Sequence, residues 1–241
     1  MIYENIRPAV FVDRPNRFIA HVLLDGEAVV CHVKNTGRCR ELLVPGCTVY
    51  VQHCPAPTRK TAFDLIAVQK GDRLINMDAA APNAVFREWL AVGGPGFVPE
   101  EIRPEYRYGD SRFDFFFSHS GQSCLAEIKG VTLEEDGIVR FPDAPTERGI
   151  KHLLGLGKAV QEGWVCWAVF IIQMEGVRYF EPNWATHPAF GKALCQAQDA
   201  GVKLLALDCH VEPDRLQVRK PVPLLLSASP RGACNCPALG V

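Results

Sequence analysis

The chain has 241 residues, of which 48% are apolar and 22% charged, a balance that supplies a packed core and excludes a disordered chain. Its formal net charge is −1, which excludes a partner chosen by bulk basicity and leaves nucleic-acid binding to local patches. No segment has the length of a signal-peptide core or a membrane span, so the expected setting is the cytoplasm, without membrane contact. Ten cysteines are present, none in a Cys-x-x-Cys pair. Cys31, Cys124, Cys166 and Cys209 fall in apolar runs and read as small buried hydrophobes. Cys234-Asn235-Cys236, in a Pro- and Gly-bearing tail, offers two thiols to a metal or redox centre, or is an accident of a frayed end.

From Val10 to about Asp78 the chain reads as short strands with frequent turns. Residues 17–24 lead through Asp25-Gly26 into residues 27–33, a strong hairpin signal. Residues 48–52, 61–68 and 73–77 are further strands, with Gly71-Asp72 turning between the last two. This pattern predicts a small barrel of the oligonucleotide-binding (OB) kind, whose members grip single strands through basic grooves and stacking aromatics. The basic residues available are Arg14, Arg17, Lys34, Arg38, Arg40, Arg59 and Lys60. Asn35-Thr36-Gly37-Arg38 has the makings of a tight loop whose amides face an anion. The competing reading is scattered solubilising charge, since Asp13, Glu41 and Asp64 are interleaved.

Residues 79–82 read as a linker, and Asn83 as the N-cap of a helix from Ala84 to about Ala91. Gly93-Gly94-Pro95-Gly96 breaks the pattern. A three-strand meander is expected next, over residues 102–108, 112–117 and about 124–131. The Pro-rich Phe141-Pro142-Asp143-Ala144-Pro145 cannot be regular helix or central strand. Thr146 or Asp143 then caps a helix to about Glu162 with Ile150, Leu153, Leu154 and Val160 as its buried stripe. A fully covered strand at 164–173, a helix at 187–200 closed by Gly201, and strands at 202–209 and 216–218 complete the reading.

Within the meander, Phe113, Phe115 and Phe117 alternate with Arg112, Asp114 and Phe116, the period of a half-buried strand. A turn centred on Ser120-Gly121 sets Asp114 opposite Glu127, with Lys129 two residues further along the same face. Such charges are commonly only a wet face. Here Asp114 is flanked by phenylalanines and Glu127 sits within Leu-Ala-Glu-Ile, where an unpaired carboxylate is costly. A divalent cation between them offsets that cost, because hard cations take carboxylate and carbonyl oxygens.

The order helix, three strands, helix, strand is that of the PD-(D/E)XK nuclease superfamily core. More closely, the chain resembles the sugar fermentation stimulation protein A family. The residues that carry this are Arg17-Phe18, Asn35-Thr36-Gly37, Glu105-x-x-Tyr108-Gly109, Ser111-Arg112-x-Asp114, Glu127-Ile128-Lys129-x-Val131-Thr132-Leu133, and Phe141-Pro142-Asp143-Ala144-Pro145-Thr146-Glu147-Arg148-Gly149-x-Lys151-His152-Leu153. The resemblance implies an OB-like β-barrel over residues 1–80 and a nuclease-like α/β domain over 81–222, followed by a tail over 223–241. It also implies a DNA-binding protein, with DNA favoured over RNA as the partner.

Carried over by position, Asp114 stands for the metal-bearing Asp and Glu127-Ile128-Lys129 for the (D/E)-x-K element. Mg²⁺ or Mn²⁺ is then expected on Asp114, Glu127 and the Ile128 carbonyl, with Glu105 as an added ligand or holding a ligating water. Catalysis would rest on Asp114, Glu127 and Lys129. Arg148, Lys151 and His152 would contact phosphates, together with Arg17, Lys34, Arg38 and Arg40 of the barrel. For several of these a structural role competes: Glu105 pairing with Arg107 or Arg112, His152 simply packing. Two functions remain open, a Mg²⁺-dependent nuclease and a non-catalytic DNA-binding regulator of sugar metabolism that uses the same pocket.

Overall fold

The computed structural model describes residues 1–35 and 37–227; the Cys234 and Cys236 expectation falls outside them. The N-terminal half is built on strands β1 (Ile6–Asn16), β2 (Ile19–Leu24), β3 (Glu27–Val33), β4 (Thr48–His53), β5 (Phe63–Lys70) and β6 (Arg73–Asn76), arranged β3-β2-β1-β4-β5-β6. A parallel pairing of β3 with β5, from Cys31 opposite Phe63 to Val33 opposite Leu65, closes the first five strands into a barrel. Closure leaves few unpaired edges in a short chain. Asp25 and Gly26 both adopt positive φ, as a two-residue hairpin turn demands. The first strand was not anticipated. Pro8, Pro15 and interleaved charges mask it in sequence, yet Ile6 to Val10 pair with β4 and its middle with β2.

The second half begins with helix α1 (Ala81–Ala91) and continues through β7 (Glu101–Tyr108), β8 (Ser111–His119), β9 (Gln122–Val131), β10 (Glu134–Glu135), β11 (Ile138–Phe141), α2 (Glu147–Gln161), β12 (Val165–Ile172), β13 (Tyr179–Pro182), α3 (Pro188–Asp199), β14 (Lys203–Glu212) and β15 (Arg215–Pro221). Its main sheet has the order β15-β14-β12-β9-β8-β7, with β9, β12 and β14 parallel and the two flanks antiparallel. β12 runs Val-Cys-Trp-Ala-Val-Phe-Ile-Ile because it lies mid-sheet and is covered on both faces. One core packs α1 against one side of this sheet through Val85, Phe86 and Leu90. The other lies under α2 and α3 and runs on without interruption into the barrel interior. β10, β11 and β13 form a small separate sheet absent from the sequence reading, being only two to four residues long.

Three expectations are corrected. α1 starts at Ala81, with Pro82 in its first turn and no side-chain cap at Ala80, so Asn83 is inside the helix and free for another task. Leu154 is 52% exposed, and α2 instead buries Leu153, Leu156 and Ala159. The Phe alternation also breaks. Phe113 packs edge-on to His152 of α2 at 5.8 Å, whereas Phe115 packs on Phe86 of α1 at 5.4 Å. Two positions that a regular strand puts on one face therefore face opposite sides, and Asp114 sits at the irregularity between them.

Candidate metal centre and nucleic-acid cleft

Ser120 and Gly121 adopt positive φ and close the β8–β9 hairpin. The ladder runs from His119 opposite Gln122 to Phe115 opposite Ala126, one step short of Asp114 and Glu127. There the ladder stops and side chains take over. The Ile128 backbone N–H donates to Asp114 Oδ2 at 2.7 Å, and Asn83 Nδ2 donates to Asp114 Oδ1 at 3.0 Å. Since a strand residue's N–H and C=O point to the same side, the Ile128 carbonyl faces this gap as well.

Glu127 is 3% exposed. Its Oε1 accepts from both Lys129 Nζ and His152 Nδ1. Its Oε2 is buried with no hydrogen-bond partner among the described residues. Leaving a buried carboxylate oxygen unsatisfied costs on the order of 1–3 kcal/mol, so this oxygen favours a donor or a cation beside it. Burial pushes the Asp114 carboxyl upward, and the negative charge of Glu127 adds to that shift. For Glu127 burial acts upward too, but the His152 hydrogen bond and the Lys129 charge outweigh it and hold the carboxyl below its ordinary range. The two acids thus repel each other in a partly dehydrated gap, and a divalent ion there would relieve both.

The donor set fits such an ion: two carboxylates and one carbonyl, with the remainder left to water, as Mg²⁺ prefers. Among the described residues no three His, Cys, Asp or Glu side chains converge on one point, and Glu105 in particular does not join. Glu105 takes φ +56° opposite the Asp114 irregularity, is exposed, and its carboxylate pairs with Arg112 at 2.8 Å. Of the two roles expected for Glu105, the structure shows the pairing with Arg112.

His152 is also reassigned. It is 5% exposed and bonded to Glu127, so it cannot reach a phosphate on the surface and instead orients a carboxylate. Arg148, one turn earlier, is exposed, as is Lys151, whose Nζ lies 3.4 Å from the Asp110 carbonyl. Asn83 was missed as part of the site; its Asn identity just inside a helix, facing the Asp of a neighbouring strand, left no separate mark in sequence.

In the barrel, Lys34 departs from its expected role. Its Nζ pairs with Asp78 Oδ2 at 2.6 Å, and Asp78 is wholly buried, so the lysine is committed to neutralising that charge. Arg17, Arg38 and Arg40 do come together. They line a cleft of about 710 Å³ whose opposite wall is the stretch from Phe141 to Thr146. Arg14 builds this wall from behind: its guanidinium donates to the carbonyls of Arg17, Asn35, Gly37 and Arg38 at 2.7–2.9 Å. The approach is close at Gly37, where a Cβ would lie 2.6 Å from Asp143 Oδ2. Thr146, at the end of the cleft, is the N-cap of α2, its Oγ1 accepting from the Gly149 N–H at 3.1 Å.

Fold and site together define a two-domain protein, an OB barrel joined to an α/β domain that carries a partly buried acidic pair. The chain belongs to the sugar fermentation stimulation protein family: residues 12–77 match the SfsA N-terminal OB domain and residues 80–215 the sugar fermentation stimulation protein RE domain. A sugar fermentation stimulation protein homolog of Desulfitobacterium hafniense is 54% identical over 219 residues, covering 90% of this chain and 95% of the relative. Its counterpart in Clostridium beijerinckii is 50% identical over 226 residues, covering 94% and 100%. Among solved structures, Pyrococcus furiosus SfsA in complex with Ca²⁺ is similar at a TM-score of 0.83 and 26% identity, over 93% of this chain and 98% of that one.

Proposed function

We propose that this protein binds nucleic acid, DNA in the first place, and hydrolyses its phosphodiester bonds with a divalent ion, Mg²⁺ or Mn²⁺, at Asp114 and Glu127. The observation that carries the reading is the buried, unpartnered Oε2 of Glu127 beside a carboxylate whose own donors fix its position. That the similar Pyrococcus furiosus protein is described in complex with Ca²⁺, another hard oxygen-seeking dication, supports a cation site in this fold.

Asp114, Glu127 and the Ile128 carbonyl would hold the ion. When bound, it supplies an acidified water and offsets charge that builds on the phosphorus oxygens. Lys129, tethered to Glu127 and only about one quarter exposed, presents its ammonium at the mouth of the gap, where it orients the attacking water or neutralises a phosphate oxygen. His152 and Asn83 keep the two carboxylates in one orientation, so that little reorganisation is left for the reaction itself. Arg148 and Lys151, exposed on α2, would meet neighbouring phosphates.

The test is a cleavage panel on single- and double-stranded DNA and RNA with Mg²⁺ or Mn²⁺, run beside calorimetric titration of Mn²⁺. Cleavage and ion binding are expected in the wild type, and both are expected to vanish in Asp114→Ala and Glu127→Ala. Intact nucleic-acid binding with no cleavage of any substrate would instead assign the protein as a non-catalytic DNA-binding regulator.

A further inference from the structure

Strands β1, β2 and β3 turn one side into the barrel core and the other outward. Phe11, Val22 and Cys31 take the inward side and are buried. Polar residues are expected on the outward side, yet Val10, Val12, Leu23 and Val30 stand there, each 39–46% exposed. They are four of the eleven large apolar side chains exposed among the described residues. Pro8 and Ala28 are exposed beside them. Register draws these residues together. Val10 lies opposite Leu23 and Leu23 opposite Ala28, one row across three strands, and Val30 lies opposite His21 in the next row. Apolar side chains exposed singly are ordinary, whereas a contiguous patch marks a surface that meets another molecule.

The charges at the margins of the patch select that molecule. At one end His21 Nδ1 lies 2.7 Å from Asp13 Oδ1, because an irregularity in β1 after Phe11 brings Asp13 opposite His21. At the other end Arg7 pairs with Asp25 of the β2–β3 turn. Nucleic acid does not match this margin, since each basic group on it already has a carboxylate. A second copy of the chain does match. On β1, Arg7 stands three residues before Val10 and Asp13 three after it; on β2, His21 stands two before Leu23 and Asp25 two after it. Turning a second copy over about a two-fold axis along the Val10–Leu23 row lays β1 on β1 and β2 on β2 with their directions reversed. Asp13 then meets Arg7 of the second copy and His21 meets its Asp25, and symmetry makes each contact twice. The face spans the four strands β3-β2-β1-β4, which at about 4.8 Å per strand and about 3.4 Å per residue from Arg7 to Asp13 gives roughly 300 Å². That suits the apolar centre of a standard interface of about 800 Å² per partner, whose remainder is polar rim.

We infer that the outer face of β1, β2 and β3 is the interface of a two-fold symmetric dimer of this chain. The dimer depends neither on the metal centre nor on nucleic-acid binding.

The experiment is sedimentation velocity of the full-length chain over a dilution series. The wild type should sediment at twice the chain mass and dissociate on dilution. Leu23→Glu sets two carboxylates against each other at the axis and should be monomeric throughout. Arg7→Asp faces Asp13 of the second copy with a like charge at two places and should weaken the dimer at least about tenfold. Arg7→Asp/Asp13→Arg restores opposite charges across the axis and should recover most of that loss, which a role confined to the Arg7–Asp25 pair within one chain would not allow. Val92→Glu, at an 81% exposed position at the end of α1 and off this face, should leave the dimer intact. All substituted side chains are exposed, and circular dichroism checks that each variant is folded. A wild type that is monomeric at every concentration, a dimer unmoved by Leu23→Glu or dissociated by Val92→Glu, or a double variant no tighter than Arg7→Asp would each overturn the inference.

Discussion

The two oxygens of Glu127 meet opposite surroundings. Oε1 is held by an imidazole and an ammonium, while Oε2 is buried without a partner among the described residues. The His152 hydrogen bond is what selects this orientation, since the imidazole is locked between α2 and the Phe113 ring. His152→Ala should therefore loosen Glu127 twice over. Loss of a buried bond to a charged group predicts destabilisation of about 2 kcal/mol, read as a lower urea midpoint. Loss of an orienting partner predicts Mn²⁺ binding about tenfold weaker by calorimetry. A variant that loses stability and keeps full ion affinity would show that the histidine only packs.

Strand β9 has to carry the site on one face and accept α1 on the other, and Gly130 is where the second demand is most acute. A Cβ there would lie 2.6 Å from Gln173 Oε1 and 2.7 Å from Pro82 Cγ. Gln173 cannot swing away cheaply, because its Nε2 donates to Asn76 Oδ1 and the Asp78 carbonyl at 3.0 Å. Gly130→Ala should cost about 1–3 kcal/mol through overpacking, measurable by urea denaturation. A neutral outcome would mean that α1 can shift off the sheet. The site should feel the same strain, since Asn83, one residue after Pro82, holds Asp114.

Barrel and α/β domain share one continuous core and a set of buried polar ties. The Asn76 N–H donates to the Gln173 carbonyl at 2.9 Å, and Lys70 and Arg73 converge on Glu134 at 2.7 and 2.6 Å. We therefore expect one calorimetric transition in which the van't Hoff and calorimetric enthalpies agree; two resolved transitions would show independent domains. Acid should weaken the junction. Burial alone raises the Glu134 carboxyl, but Lys70, the Gly137 N–H and Arg73 outweigh it and set it below the ordinary glutamate value. A folded value below the unfolded one stabilises above the unfolded value, and that contribution is lost as pH falls through the folded value. Glu134→Gln should thus be less stable than wild type by about 1–2 kcal/mol near pH 7, allowing for the partial exposure of both cations. The gap should close as pH falls below the ordinary glutamate range and wild-type Glu134 itself protonates; a gap unchanged by pH would assign the loss to packing.

Local sequence determined the hairpin that matters most. Ser120-Gly121 is a turn that sets register, and period two from that turn places Asp114 against Glu127. It narrowed the α2 cap to Thr146 or Asp143 and determined the continuous apolar strand β12, because capping and strand covering depend on near neighbours and composition. It did not determine β1, whose prolines and charges contradict strand propensity and are overridden by pairing on both sides. Nor did it assign partners. Glu105, Lys34 and His152 carry the same residue types as true ligands and phosphate contacts, and only the fold commits them to Arg112, Asp78 and Glu127. A charge's role is decided by what lies within a few ångströms of it, and for Lys34 and His152 those neighbours are distant in sequence. The same long-range accounting leaves Arg17, Arg38 and Arg40 on one cleft with no carboxylate partner among the described residues, a property of the assembled molecule that no stretch of the chain contains by itself.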